Sequence, residues 1–341
     1  MSHIAIQATG LVTAVGLSAP GSCAAFRAKV NNPSETRFID STGAWIVAQE
    51  VPLDKPWRGL AKLVQMAVMA IEEALQDVPR RQWSALPLLL CVAEGDRPGR
   101  QQGLDGEMLH RIERALDVRF APQSALVAQG RVSVAAALAQ ARALIAGGHA
   151  PRVVVAATDS LLSWPTLSHY DQQDRLLTAR NSNGFIPGEG AGALLVGPAT
   201  GGEGELVCSG IGFGHEAAHV DSGDPLKADG LTDAIQASLA EAGWQMHDFD
   251  YRITDLSGEY YYFKEATLTL SRTLRQLKDE FDIWHPAECT GEVGAASGVT
   301  VIATAREACI KGYTKGPRVL AHWANDGGQR AAVALRYGAA P

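Results

Sequence analysis

The side chains that could carry out nucleophilic chemistry are scattered along this chain. The five cysteines are Cys23, Cys91, Cys208, Cys289 and Cys309. No two of them form the C-x-x-C spacing that is typical of zinc sites and redox disulfides. Their odd number also argues against a framework of paired disulfides. We therefore expect reduced thiols buried in the core.

The nine histidines are equally dispersed. The two nearest neighbours, His215 and His219, have the spacing of successive helical turns, but their segment offers no third ligand. The sequence therefore predicts no metal site, and nothing in it indicates a bound cofactor.

The composition excludes some classes of function. With 341 residues, 46% of them hydrophobic, and a net charge of −7, the chain can bury a large core but has no basic stripe for nucleic acid. Its beginning lacks a cationic leader followed by an apolar run, and no apolar stretch reaches about 18 residues. We expect a cytoplasmic protein that binds neither nucleic acid nor a membrane.

Apolar runs of strand length alternate with segments of helical periodicity. In the first part of the chain, strands are predicted at 4–11, 86–92 and 152–157, and helices at 23–29, 60–75 and 131–146. The second part repeats the plan, with strands at 205–211, 251–256, 318–324 and 331–337, and helices at 231–242, 263–281 and 299–311. The pattern predicts an α/β protein of two similar halves, 1–204 and 205–341, fused into one unit.

A glycine-rich string precedes the apolar strand at 193–196. Residues 183–192 read Asn-Gly-Phe-Ile-Pro-Gly-Glu-Gly-Ala-Gly, which resembles the R-x-G-F-x-x-G-E-G-A-G segment of β-ketoacyl synthases. In that family the glycines let the backbone turn tightly beneath the active site. The resemblance implies that Phe185, Gly188 and Glu189 lie in a loop at the pocket.

Further motifs follow in the family's order. Residues 9–16 resemble its opening strand and loop, and 290–298 resemble its T-G-H-x-x-G-A-A-G loop, with Thr290 and Gly291 in place. Residues 325–329 stand where the family has its F-G-G-x-N turn, represented here by Gly327 and Gly328. The resemblance extends from about residue 4 to residue 338. It implies a thiolase-like fold with five α-β-α-β-α layers, built from two pseudo-symmetric halves.

Such enzymes need a cysteine at the N-terminus of a buried helix and two histidines. When the motifs are aligned, the nucleophile falls between Gln129 and Val132, and on Arg131 in the register that keeps Ser133 at the family's small residue; the histidines fall on Asp255 and Glu292. An ionised carboxylate repels the oxyanion that an imidazole N–H would stabilise. The resemblance therefore implies a relative that does not condense acyl groups.

Several functions stay open. The first is a scaffold or accessory subunit, as with chain-length-controlling partners of polyketide synthases or accessory proteins of effector-secretion clusters. The second is residual acyl transfer or malonyl decarboxylation, with Gln129 or a displaced Cys289 as the active residue; Ser133 is a weaker candidate. In the third, Asp255 and Glu292 act as acid and base while Arg131 holds an anionic substrate. The alternative to this last function is that Arg131 simply neutralises both acids.

The remaining expectations concern partners. The run Tyr260–Phe263 could form a partner surface, plug the acyl tunnel or fill the core. Members of the family usually dimerise through a central strand, and the uncharged segment 124–129 could serve here. The resemblance implies a homodimer, or a heterodimer with a ketosynthase-like or accessory protein, and an acyl carrier protein as a possible further partner. The short segment 86–122 leaves little room for a long acyl tunnel.

Overall fold

The computed structural model describes residues 3–338. Residues 1–2 and 339–341, which the two predicted halves include, lie outside the described part. Strands in the first part of the chain are β1 (Ile4–Val12), β2 (Ser34–Ile39), β3 (Trp45–Ala48), β4 (Leu88–Val92), β5 (Ala125–Ala128), β6 (Val153–Ser160) and β7 (Glu189–Pro198). The later strands are β8 (Leu206–His215), β9 (Tyr251–Thr254), β10 (Ile283–Trp284), β11 (Arg318–Ala324) and β12 (Gln329–Tyr337).

The helices alternate with these strands. In chain order they are α1 (Ala19–Arg27), α2 (Gly59–Ala74), α3 (Leu104–Leu116), α4 (Ser133–Ala146), α5 (Trp164–Gln172), α6 (Asp229–Ala242), α7 (Tyr260–Thr273), α8 (Ala287–Thr290) and α9 (Ser297–Ile310). None of the described helices is long and apolar enough to cross a membrane.

Ten of the strands form one mixed sheet with internal symmetry. Its order is β10-β9-β11-β12-β8-β1-β7-β6-β4-β5. From the centre outward, both halves have two antiparallel pairings followed by two parallel pairings. The halves meet where β1 pairs antiparallel with β8, at Ile4 opposite Cys208. The predicted α/β fold is therefore confirmed, and its two half-sheets are joined into one mixed sheet.

The helices α4 and α9 lie between the half-sheets. Residues of both helices share one buried apolar cluster with β1, β6, β8 and β12, while α2 and α3 cover the outer face of the first half and α6 that of the second. Close approach requires small residues. A Cβ built on Gly298 of α9 would meet Val134 of α4 at 2.5 Å, so a larger residue would force these helices apart.

One expectation needs correction. The helix predicted at 263–281 begins at Tyr260 and ends at Thr273, because Leu274 turns to an extended conformation. Leu274 and Phe281 lie in the loop that follows, and both pack against the core of the second half. Their spacing resembles that of a helix, although the segment is a loop. The hairpin of β2 and β3 was not predicted from the sequence. It pairs outside the main sheet; β2 carries no continuous apolar run, and the apolar run of β3 is only four residues long.

Candidate functional site

Three distant segments bring Arg131, Asp255 and Glu292 together. Arg131 lies in the single 3-10 turn that leads into α4, Asp255 follows β9, and Glu292 lies between α8 and α9. All three are buried. The guanidinium Nη1 of Arg131 lies 3.2 Å from Oε2 of Glu292, and its Nε lies 3.9 Å from Oδ2 of Asp255.

A second arginine extends this group. Arg175 donates two parallel hydrogen bonds to Glu259, at 2.7 and 2.9 Å, which is the bidentate geometry that makes such pairs strong. Asp326 connects the two arginines: one carboxylate oxygen accepts from Arg131 at 2.5 Å and the other from Arg175 at 2.9 Å. We call these six residues, together with Tyr262, the buried charge cluster.

Tyr262 closes the cluster from α7. Its hydroxyl accepts a hydrogen bond from Arg131 at 2.9 Å and donates one to Asp326, and the guanidinium lies 4.8 Å from the ring centroid. Of the run Tyr260–Phe263, this residue fills the interior, whereas Tyr260 is 66% exposed. The run is therefore split between the buried site and the surface.

The backbone around Arg131 is held by the turn before β12. Asn325 accepts a hydrogen bond from the amide of Arg131 at 2.8 Å and donates one to the carbonyl of Gln129, also at 2.8 Å. Gly130 between them has φ +54°, and a Cβ there would meet a carboxylate oxygen of Glu94 at 2.1 Å. This turn therefore requires glycine.

Burial decides the direction of the pKa shift for three carboxyl groups of the cluster. It raises the pKa of Asp255, of Glu259 and of Glu292, although the neighbouring arginines oppose the rise. The negative charge of Asp255 raises the pKa of Glu292 further. These three groups therefore retain protons to a higher pH than exposed carboxyls do.

Asp326 behaves in the opposite way. Burial alone would raise its pKa, but Arg131 and Arg175 together hold the pKa of this carboxyl well below its usual range. Electrostatic interaction with Tyr262, Glu292 and Asp326 outweighs the effect of burial on Arg131 and raises the pKa of its guanidinium. Asp326 is therefore the carboxylate that neutralises both arginines.

Very little space remains at the cluster. The gap lined by Arg131, Arg175 and Glu292 has a volume of about 10 Å³, and so does the gap on the other side of Asp255. A single water needs roughly 10–15 Å³. Neither gap can admit an acyl chain or a thioester.

The glycine-rich loop positions Glu292. The amide of Gly188 donates to the carbonyl of Glu292 at 2.8 Å, and the amide of Glu292 donates to Ile186 at 2.8 Å. Gly291 has φ +66°, and a Cβ there would meet the carbonyl of Ile186 at 2.5 Å. Thr290, which precedes it, is buried and donates to the carbonyl of Gly291 at 3.0 Å.

The other predicted loop residues have structural contacts. Phe185 is buried edge to face against Tyr170, with ring centroids 5.0 Å apart. Glu189 is buried, pairs with Lys62 and accepts from the amide of Val51 at 2.9 Å. Gly327 and Gly328 form the turn between β11 and β12, and Gly328 has φ +96° there.

The remaining candidate nucleophiles lie outside the cluster. The side chain of Gln129 is exposed, and Ser133 is buried and donates to the carbonyl of Gly130. Cys289 was expected near the pocket, but it lines a different cavity with Trp284 and Tyr313. Burial raises the pKa of Cys289 to about 11, so its thiol is protonated at neutral pH.

Four members of the cluster, or their roles in it, were not predicted from the sequence: Arg175, Glu259, Tyr262 and Asp326. One signal was available for Asp326, because it stands directly before Gly327 and Gly328, where the family motif has phenylalanine. No group of three or more potential ligands within residues 3–338 could hold a metal ion.

Comparison with known proteins identifies the fold. No protein-family model and no curated protein matches the sequence. Solved structures do match. The ishigamide ketosynthase/chain length factor superposes with a TM-score of 0.77 at 15% identity, covering 98% of this chain and 99% of that one. A β-ketoacyl synthase from Burkholderia phymatum STM815 gives 0.76 at 16%, covering 99% and 100%.

A third match is a type II PKS acyl-carrier protein in complex with its ketosynthase bound to the hexaketide. Its TM-score is 0.81 at 13% identity, and the match covers 98% of this chain and 99% of that one. The chain therefore has the thiolase-like fold of β-ketoacyl synthases over nearly its whole length. At these identities the match establishes the fold alone.

Proposed function

We propose that this protein is a ketosynthase-like subunit that does not condense acyl groups and acts by binding and assembly. In this proposal Arg131 stands at the nucleophile position, and Asp255 and Glu292 stand at the two histidine positions. The observation that carries it is the filled site: Arg131 is paired with three carboxylates, and the remaining gap has a volume of about 10 Å³.

The chemistry of the cluster supports this proposal. Acyl transfer needs a nucleophile, and condensation needs donors that stabilise negative charge on a carbonyl oxygen. The cluster offers a guanidinium whose donors already serve carboxylates, and acids that would repel an oxyanion. An acid-base role for Asp255 and Glu292 would require space for a substrate, and the gap supplies none.

Acyl loading tests the proposal directly. The purified protein is incubated with acetyl and malonyl thioesters of coenzyme A and of an acyl carrier protein, with an active ketosynthase in parallel. We expect no acyl adduct by intact mass measurement and no release of carbon dioxide. An adduct that disappears in Cys289→Ala or Ser133→Ala, or malonyl turnover that disappears in Gln129→Ala, would refute the proposal.

An assembly role requires a partner, and β5 is the strand that we propose for contact. It lies at one end of the ten-stranded sheet, pairs with β4 on one side and carries no charged residue. Antiparallel pairing with the same strand of a second chain would satisfy its free edge. That chain is a second copy or a ketosynthase-like or accessory protein, and an acyl carrier protein is a further possible partner.

Sedimentation analysis tests this contact. We expect wild-type protein to dimerise, alone or with a ketosynthase-like partner, and Ala128→Lys to weaken the dimer because it places a charge on the edge strand. The matched control is Leu177→Lys, since Leu177 is an exposed apolar residue far from this edge in sequence. Unchanged association in both variants would exclude β5. The cytoplasmic location stays a prediction.

A further inference from the structure

A cavity of about 510 Å³ opens beside β2, separate from the small gaps at the buried charge cluster. Its walls come from β2, from the starts of α2, α3 and α5, and from the loop that follows β4. We call it the hairpin cavity. It is about fifty times larger than either gap at the cluster.

Three helices begin at this cavity. Arg58 and Gly59 at the start of α2, Leu104 at the start of α3 and Trp164 at the start of α5 all line it. Neither α2 nor α3 has a side-chain cap, so no capping side chain accepts a hydrogen bond from the backbone N–H groups of their first turns. The positive ends of three helix dipoles therefore face one space.

Cationic side chains add to this field. Five arginines and lysines line the cavity, and three of them are neutralised: Lys62 by Glu50 and Glu189, Arg97 by Glu94 and Asp159, and Arg100 by Asp105. Arg58 has no ion pair or hydrogen-bond partner for its side chain within residues 3–338. Arg37 lies over the ring of Phe38, 4.9 Å from its centroid, and has no carboxylate partner there. Among the lining carboxylates, Glu35 alone lacks an ion pair in that range.

Aromatic rings form the remaining wall. Phe38 and Trp164 stack with centroids 6.2 Å apart, and Trp164 is 50% exposed. Trp57 also lines the cavity, and its indole Nε1–H is buried without a hydrogen-bond acceptor in the described chain.

We propose that the hairpin cavity binds a small organic anion, with a carboxylate or phosphate at Arg58 and the uncapped helix starts, and a flat apolar body against Trp57 and Trp164. The volume fits such a molecule, because small-molecule sites are about 300–1,000 Å³. The observations that carry this inference lie outside the buried charge cluster, so it does not depend on the function proposed above.

Calorimetric titration of the full chain tests the inference with three probes: benzoate, phenyl phosphate and inorganic phosphate. We expect at least one aromatic anion to bind, and to bind more tightly than inorganic phosphate. Arg58→Ala should weaken that binding about tenfold or more, because a charge-assisted contact is lost. Whichever aromatic anion binds better identifies the anionic group.

Two further variants separate a specific site from general charge attraction. Trp164→Ala should weaken the binding of the aromatic anions and leave the binding of inorganic phosphate unchanged. Arg81→Ala is the matched control, since Arg81 is exposed and does not line the cavity. The inference is overturned if no aromatic anion binds, if inorganic phosphate binds as tightly, or if Arg81→Ala weakens binding as much as Arg58→Ala does. Circular dichroism establishes that each variant is folded.

Discussion

The buried charge cluster and the hairpin cavity use the same kinds of side chain in opposite ways. In the cluster, Arg131 and Arg175 are buried and share Asp326 as a common carboxylate. In the cavity, Arg58 is exposed and has no carboxylate partner within residues 3–338, and the space beside it has a volume of about 510 Å³. One region is closed by its own ion pairs, and the other is open.

The difference teaches that arginine content does not indicate a binding site by itself. A buried guanidinium has to be neutralised, because an isolated charge in a low dielectric is very costly. Once the guanidinium is neutralised, its N–H donors are occupied by carboxylates. A ligand could bind it only by displacing those carboxylates and leaving them unpaired. An arginine at the rim stays hydrated and can exchange water for a ligand.

The largest expected effect is on the cluster. Replacing Arg131 with methionine keeps much of the volume but leaves Glu292, Asp255 and part of Asp326 without their cation. Breaking a buried pair in this way costs roughly 3–5 kcal/mol. We expect a loss of that size in the free energy of unfolding, measured by urea denaturation.

A double variant sharpens this prediction. Arg131→Met combined with Glu292→Gln removes one of the carboxylates that the single variant leaves unpaired, so part of the lost stability should return. If Arg131→Met is as stable as the wild-type protein, the cluster does not close the site by ion pairing, and the contrast with the hairpin cavity fails.

The second effect depends on pH. Burial raises the pKa of Glu292 in the folded protein, so the folded state holds a proton that the unfolded state has already released. This contribution to stability is present below the unfolded pKa and is lost as the pH rises through the folded pKa. Glu292→Gln removes the dependence.

The measurement is the difference in unfolding free energy between Glu292→Gln and wild-type protein from about pH 5 to about pH 8. As the pH rises, the unfolding free energy of the variant should increase relative to that of the wild-type protein, by at most about 1.4 kcal/mol for each pH unit, and the difference should then level off. A difference that moves in favour of the wild-type protein would mean that Arg131 lowers the pKa of Glu292 more than burial raises it.

The smallest effect is expected at the hairpin cavity. Arg58 is exposed and forms no ion pair in the described chain, so Arg58→Ala should change the unfolding free energy by less than about 0.5 kcal/mol. A loss comparable with that of Arg131→Met would show that Arg58 supports the fold, and the two regions would then not differ in kind.

The repeated strand and helix pattern was readable from the sequence because each element carries its own hydrophobic period. The double-sided apolar run of β4 and the amphipathic face of α2 are local properties. The loop after Thr273 was mistaken for helix because Leu274 and Phe281 bury their side chains without helical geometry. Local spacing cannot distinguish these two cases.

The site could be predicted from the sequence only in part. Motif order pointed to Arg131, Asp255 and Glu292, which the fold brings together. Nothing local indicated Arg175 or Glu259, because their pairing joins the loop before β7 to the residue before α7, 84 positions away. Long-range pairing of this kind depends on how the two halves pack.

The sequence alone determined most of the strands and helices, since the hydrophobic period of a segment is a property of neighbouring residues. Tertiary structure alone decided that Asp326 joins two arginines, that Tyr262 fills the space beside them and that Arg58 is left without a partner. The physical reason is that burial and charge pairing depend on distances between segments that are remote in the chain.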